Sequence, residues 1–378
     1  MHESLRQKLK QRMSSPQMRR RRCRAARESN VVLDFSKNDY LGLSQHPEVK
    51  KQFVDAANEW GVGSTGSPLL SGYSLAHQRL ESELSEWLEK PAGLLFPSGF
   101  SANVGVLSTL VSDTSKIYAD KLVHASLIDG IKQSRQRFKR YAHSQPLTIA
   151  EALKPGDWLV TEGVFSMDGD DAGITQLIEL KKRQSNTTVM VDDAHGIGVL
   201  GYSGKGALSN DLGVADIMTG TFGKAFGVGG AFVCADQDTI EALIQFCREY
   251  IYSTAMPPAQ AAAASAALMV IKHQEGREKR EHLAQLAQQF QLEMSRRGLV
   301  YIESSTPIQS WLFESEESAK RMAGELSSLG YLCRAIVHPT VPKHSPRIRF
   351  SLNSNMQPAH ISQFWHVVDG LLERDNAL

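Results

Sequence analysis

Residues Thr187 to Gly198 read "TTVMVDDAHGIG". A run of β-branched and large apolar residues ends abruptly in two acids, a histidine and glycine. The run does not alternate polar with apolar, which is the pattern of a strand buried on both faces. Other segments repeat it: "GLLFPSG" (93–99), "KIYAD" (116–120), "DWLVTEG" (157–163) and "ADIMTGT" (215–221). Between them lie helix-like stretches such as "HQRLESELSEWLEK" and "ITQLIELKKRQ", apolar at i, i+3, i+4 and i+7. Alternating strand and helix specifies an α/β domain with a largely parallel sheet flanked by helices. Such sheets bind ligands at the carboxyl ends of their strands. The polar clusters just quoted all sit at such ends.

From about Ala259 the texture changes. "AQAAAASAALMVIKHQEGREKREHLAQLAQQFQLEMSRRG" reads as long helix, with Gly276 as the expected break. Then come strand-like "IQSWLF", helical "ESAKRMAGELSSLG", strand-like "LCRAIV" and "RIRFSLN", and a closing helix, "HISQFWHVVDGLLE". The expected division is an N-terminal helix and arm (1–38), a large α/β domain (39–270) and a small C-terminal α+β domain (271–378). The arm is charged at helical spacing around Leu5 and Leu9, with Pro16 interrupting it, as in a solvated helix.

The formal net charge is +1, so no global field favours nucleic acid or an anionic membrane. Cys23, Cys234, Cys247 and Cys333 are scattered without a CxxC pair, against a disulfide framework or zinc site and for a reducing compartment. The basic N-terminus lacks the apolar core of a secretory signal, and "AQAAAASAALMVI" is too short to span a bilayer. A cytoplasmic location is expected, and no metal.

Several motifs compete for the chemistry. "GVGSTG" (Gly61 to Gly66) matches GxGxxG, but a helical segment precedes it and Pro68 follows where a helix should start. A glycine loop lining a site fits better. In "MTGTFGKAFGVGG", Lys224 sits among glycines. A Walker A loop would need glycine at Met218 and Ser or Thr at Ala225, so that phosphate motif fails. Lys205, in the polar turn "GYSGKGA", is a rival lysine. "LLFPSGFSAN" ends a strand at Phe96 and opens a helix capped by Ser98, whose first N–H groups can bind an anion. Asp192 and His195 are three residues apart and can face one ligand: a metal, a catalytic partner or a ring cation. Burying Asp192 costs several kcal/mol unless a cation pairs with it. His124, Glu162 and Ser166 also lie at strand ends. A lysine in a cramped loop, an acid at a strand end, an anion-binding helix start and a histidine together suit pyridoxal 5'-phosphate.

The resemblance then becomes specific. "VDDAHGIGVLG", "TGTFGKAFGVGG", "TEGVFSMDGD", "NDYLGL", "SGYSLAHQRLE", "IYSTAMPPAQ" and "HPTVPKHSPRIRFSLN" resemble the α-oxoamine synthases, fold-type I pyridoxal-phosphate transferases, in that family's order from about Val31 onward. "DDAHG" and "TPIQ" are most similar to the branch that condenses L-alanine with a pimeloyl thioester, carried by CoA or by acyl carrier protein; sister branches use glycine with acetyl-CoA. The resemblance implies that Lys224 anchors the cofactor covalently and moves the substrate's α-proton. It implies that Asp192 pairs with the ring nitrogen, that His195 and Ser166 reach the ring hydroxyl, and that His124 and Ala194 cover the ring's two faces. Glu162 belongs to the same cofactor site. Ser98, Gly99, Phe100 and Thr221 would hold the phosphate, with Thr254 reaching it from the neighbouring subunit of a homodimer. Asn38 and Arg349 would bind the amino-acid substrate. A substrate-binding arginine is also implied in the N-terminal region, with Arg19 to Arg22 as candidates. The segment "RFSLNSNMQPAH" departs from the family in lacking alanine–histidine–threonine after the arginine strand.

Overall fold

Each apolar run ending in polar residues becomes a buried strand. In a computed structural model describing residues 2–13 and 31–376, five such strands are joined by two others in the main sheet: β1 (Ala92–Phe96), β2 (Ile117–Asp120), β3 (Phe138–Tyr141), β4 (Trp158–Glu162), β5 (Thr188–Asp192), β6 (Ile217–Thr221) and β7 (Ala231–Ala235), of which β3 and β7 are the additions. They form one sheet in the order β1-β7-β6-β5-β4-β2-β3. β7 runs antiparallel to β1 and β6, and every other pairing is parallel. The exception has a simple cause. A parallel return needs a crossover of about a dozen residues or more, and the loop Phe222–Gly230 joins β6 to β7 without a helix. That loop carries Lys224.

Helices cover both faces. Gly99–Leu110, Ala125–Ser134 and Gln237–Phe246 pack on one, burying Leu94, Val160, Met190 and Val233. Leu75–Trp87, Ile174–Arg183 and Pro258–Lys272 pack on the other. The core on this second face continues into an antiparallel sheet of β8 (Tyr301–Ile302), β9 (Ile308–Leu312), β10 (Arg334–Ile336) and β11 (Arg347–Ser351), in the order β10-β11-β9-β8. There Phe35, Phe290, Phe350 and Phe364 pack ring to ring, with centroids 5.0–6.0 Å apart. The architecture is α/β with a mainly parallel sheet, as the alternation of strand and helix predicts, and is that of the fold-type I transferases, as the resemblance implies.

Two corrections concern elements. The long helical stretch breaks at His273, between helices Pro258–Lys272 and Gln274–Arg296, and not at Gly276. Gly276 lies in the first turn of the second helix, where a Cβ would overlap the carbonyl oxygens of Val270 and Ile271. Its role is close approach of two backbones. Strands β3 and β7 also escaped the pattern reading. β3 is charged and mostly exposed ("FKRY"), and β7 sits inside the glycine-rich run.

The N-terminal helix Glu3–Met13 buries no residue, as its charge pattern predicts. Pro16, Arg19 to Arg22 and Cys23 lie outside the described residues. Further on, Leu33–Asp34 pairs in parallel with Tyr331–Leu332, and the Ser351 amide donates to the Phe35 carbonyl at 2.8 Å. This pairing sets Asn38 beside β11. Among the described residues, no helix is long and apolar enough to cross a membrane.

Candidate active site

Parallel register aligns the strand ends. Glu162 on β4 is paired with Asp192 on β5, and Asp192 with Thr219 on β6. Three polar residues therefore stand side by side at one edge of an apolar sheet. Each oxygen of Asp192 accepts a hydrogen bond: Oδ1 from the Ala194 amide at 3.1 Å, Oδ2 from Asn103 Nδ2 at 2.6 Å. His124 caps the helix Ala125–Ser134, and its backbone N–H donates to Glu162 Oε1 at 2.5 Å.

Electrostatics bring the rest of the set to the same place. Burial pushes the Lys224 ammonium down from 10.5 to about 8, against the pull of Asp192 and Glu162. Such an amine is partly neutral near physiological pH, the state a nucleophile or base requires. Burial, with Asp192 close by, raises the Glu162 carboxyl well above its usual range. Burial holds His195 well below 6.5, helped by the charges of Lys224, Arg349 and His124. His124 is lowered by burial and by Lys224, while Asp192 opposes the shift.

A second cluster adjoins the first. Arg349 on β11 donates from Nε to the Ser166 carbonyl at 2.5 Å, from Nη1 to Ser351 Oγ at 2.7 Å, and from both Nη atoms to Asn38 Oδ1 at 3.3 Å. Tyr40 links the clusters, with its hydroxyl 2.7 Å from His195 Nδ1 and 3.4 Å from Arg349 Nη2.

The helix start lies beside β6. Ser98 caps it, accepting from the Ser101 amide at 3.1 Å. A Cβ on Gly99 would stand 3.6 Å from that of Thr221, so the first turn and Thr221 are neighbours, with Phe100 exposed. The Thr221 hydroxyl donates to the Gly230 carbonyl at 3.1 Å and accepts from the Gly223 amide at 3.1 Å, which ties the Lys224 loop at both ends.

Lys224, His124, Glu162, Asp192, His195, Asn38 and Arg349 thus converge, with Ser166 and Ala194 touching the set through backbone groups. Thr254 follows the short helix Arg248–Ile251. It is exposed and faces a cleft lined by Pro68, Tyr73, Glu81 and Tyr250. The glycine loop Gly61–Gly66 borders that cleft, since the Ala255 amide donates to the Gly66 carbonyl at 3.0 Å. It follows the helix Pro47–Trp60, so the dinucleotide reading fails. Lys205 is tied to Glu89 in an ion pair. His143, Asp168 and Asp170 lie close enough to hold a metal ion, but Asp120 and Asp170 take the two ring nitrogens and Arg347 takes Asp168.

The residues fit pyridoxal phosphate by the chemistry of the donor set. A buried, partly neutral amine suits the aldehyde, a buried carboxylate suits the ring nitrogen, and an open helix start suits the phosphate. Reading by motif missed Asn103, Ser126, Thr219 and Tyr40. The signal was present for two of them. Asn103 is a lone amide in an apolar helix, and Tyr40 lies inside "NDYLGL".

Comparison with known proteins agrees. The family model for aminotransferase class I and II matches residues 30–368. The 8-amino-7-oxononanoate synthase of Salmonella dublin is 42% identical over 342 residues, 89% of each chain. The solved structure of 8-amino-7-oxononanoate synthase from Francisella tularensis is 33% identical with a TM-score of 0.79, covering 91% of this chain and 98% of its own. Serine palmitoyltransferase from S. paucimobilis, solved with a pyridoxal phosphate–myriocin adduct, is 26% identical with a TM-score of 0.85, covering 90% and 87%. The chain belongs to the aminotransferase class I and II family and, within it, to the α-oxoamine synthases, alongside the 8-amino-7-oxononanoate synthases.

Proposed function

We propose that this chain is a pyridoxal-phosphate-dependent acyltransferase that condenses L-alanine with a pimeloyl thioester, releasing carbon dioxide and the thiol. The observation that carries the reading is the Lys224 amine, lowered to about 8 by burial beside Asp192 and Glu162, in a chain 42% identical to an 8-amino-7-oxononanoate synthase. Bound pyridoxal phosphate supplies an aldehyde for amines and a ring that draws negative charge from the substrate's α-carbon.

The chain's residues supply the rest. Lys224 Nζ would hold the group and would move the proton at the substrate α-carbon. Asp192 offers its carboxylate to the ring nitrogen. Neutral His195 and Ser166 would hold the ring hydroxyl, while His124 and Ala194 would cover the ring's two faces. Glu162 fixes His124 through its backbone N–H. Ser98, Gly99, Phe100 and Thr221 bind the phosphate, and Asn38 and Arg349 bind the amino-acid carboxylate, for which the planar guanidinium fork is suited.

The working unit is a homodimer in which Thr254 completes the phosphate site of the neighbouring subunit. Its exposed position supports this. So does the apolar surface around it, where Val62, Leu70 and Tyr252 are 90%, 87% and 72% exposed. Free, buried thiols at Cys234, Cys247 and Cys333 favour the reducing cytoplasm.

The test offers L-alanine and glycine separately with pimeloyl-CoA, pimeloyl carrier protein and acetyl-CoA, and weighs the amino-ketone product. Turnover of L-alanine with a pimeloyl thioester is expected. Turnover with glycine alone overturns the reading.

A further inference from the structure

Asp192 and His124 are held by one chain of hydrogen bonds whose direction is determined at every link. Asn103, on the helix that opens at Gly99, is buried with 2% of its surface exposed. Its Nδ2 donates to Asp192 Oδ2 at 2.6 Å and to Ser126 Oγ at 2.9 Å. Its Oδ1 accepts from Thr219 Oγ1 at 2.8 Å. The reversed amide would set its oxygen against the Asp192 carboxylate with no proton between them, so the orientation is forced.

The next link is equally determined. The Ser126 backbone N–H donates to His124 Nδ1 at 3.2 Å. A backbone N–H can only donate, so Nδ1 is an acceptor and the imidazole proton sits on Nε2. Ser126 Oγ accepts from Asn103 and gives its own proton to His124 Nδ1, 2.8 Å away. Ser126 and Thr219 are 0% and 2% exposed, so water does not compete. In so buried a network an unmade link leaves a polar group unsatisfied.

We propose that Asn103 is a positioning residue: it aims the Asp192 carboxylate at the cofactor ring and, through Ser126, fixes the tautomer and orientation of His124 over the same ring. Thr219 orients Asn103 in turn. The acid and the face-covering histidine then form one frame rather than two independent side chains. The lowering of His124 by burial agrees with a neutral ring that has one determined tautomer. The cofactor part of this proposal rests on the function proposed above; the hydrogen-bonded chain does not.

The test compares the full-length wild-type holoenzyme with the variants N103D, S126A and T219V. N103D preserves side-chain shape but places an oxygen against Asp192. It is expected to retain pyridoxal phosphate about 10- to 100-fold less tightly, the size of a lost hydrogen bond to a charged group. It should also shift the pH profile of the bound cofactor's visible absorbance and lower kcat more than it raises the KM for the amino acid. N103D and S126A should both move the His124 ring nitrogen resonances, read by histidine-selective 15N labelling with and without cofactor. A folded N103D with wild-type cofactor retention and wild-type His124 resonances overturns the proposal. Where N103D does not fold, T219V decides: a moved His124 resonance supports the chain, and unmoved resonance with unmoved retention overturns it. A wild-type protein that shows no cofactor absorbance defeats the functional reading alone, and the His124 resonances of N103D still decide the chain.

Discussion

A lysine in water keeps its proton at neutral pH; Lys224, buried close to Asp192 and Glu162 at the ends of β4 and β5, keeps it less firmly. The same burial has a cost that pH reveals. Between about 8 and 10.5 the unfolded chain carries a proton on this amine that the folded chain has lost, so this group makes stability rise with pH across that window. In cofactor-free protein, Lys224→Met should therefore be more stable than wild type below about pH 8, and urea midpoints should show the advantage shrinking toward pH 10.5. In turnover assays the same substitution should lower kcat by about 10²–10⁴-fold or more, the usual worth of a positioned acid–base group. Borohydride trapping followed by peptide mass analysis should find the wild-type adduct on Lys224. Tyr40 makes a separate prediction. Tyr40→Phe strips the hydroxyl from His195 Nδ1 and from Arg349 while leaving the buried ring in place. It should cost about 1–3 kcal/mol of stability, as unsatisfied buried groups do, and should raise the KM for the amino acid. An unchanged denaturation midpoint would remove the hydroxyl from the network. Lys224 and Asp192 were readable from sequence because a charged residue inside an apolar or glycine-rich run has few structural explanations. Ser126 and Thr219 were not, because short uncharged polar residues occur in any helix or strand.

At the scale of elements, strand ends do the assembling. The loop 163–173 after β4 carries Ser166 and is pinned by His143, which offers Nδ1 to Asp120 at 3.0 Å and Nε2 to Asp170 at 2.8 Å. Burial pulls this imidazole down, but the hydrogen bonds and charges of the two aspartates outweigh it and raise it from 6.5 to about 10. A raised value in the folded state stabilises most below the unfolded value of 6.5 and is lost as pH climbs through about 10. His143→Asn should thus lower the denaturation midpoint most at pH 6, with the difference from wild type closing above pH 10. Gly276→Ala should destabilise by about 1–3 kcal/mol, as overpacking does, measured as a fall in the same midpoint. Its cause lies in the close approach of two helices, which composition cannot show. The inner parallel strands were legible because both faces of each are buried and the residues report it. β3 was hidden because it is an edge strand with charged side chains, and β7 because glycine punctuation masked "AFVCA".

The whole molecule decides where sites are completed. Asn38 reaches Arg349 only because Leu33–Asp34 pairs with Tyr331–Leu332, across nearly the full length of the chain. Thr254 is exposed at the cleft beside the glycine loop, so a shared site makes a strong prediction. Lys224→Ala and Thr254→Ala homodimers should each be impaired. Mixed after dissociation, they should regain activity, because one site of the hybrid keeps Lys224 from one subunit and Thr254 from the other. No recovery in a verified hybrid, or sedimentation as a 41.7 kDa monomer at full activity, would show each site to be made by one chain.

Sequence order was sufficient for the α/β class, the sense of most of the sheet and the two residues at the centre of the proposed site. These follow from local physics: hydrophobic runs buried on both faces, and charges that must pair once the run ends. Only the tertiary structure decided that Asn103 joins Asp192 to His124, that Tyr40 joins His195 to Arg349, and that Thr254 shares a cleft with Pro68 and Tyr250. Those facts depend on register and on contacts between residues far apart in the chain, and no periodicity along one strand or helix carries that information. The "DDAHG" at the end of β5 could announce an acid that needs a partner; the fold supplied Asn103 and placed Lys224 beside it.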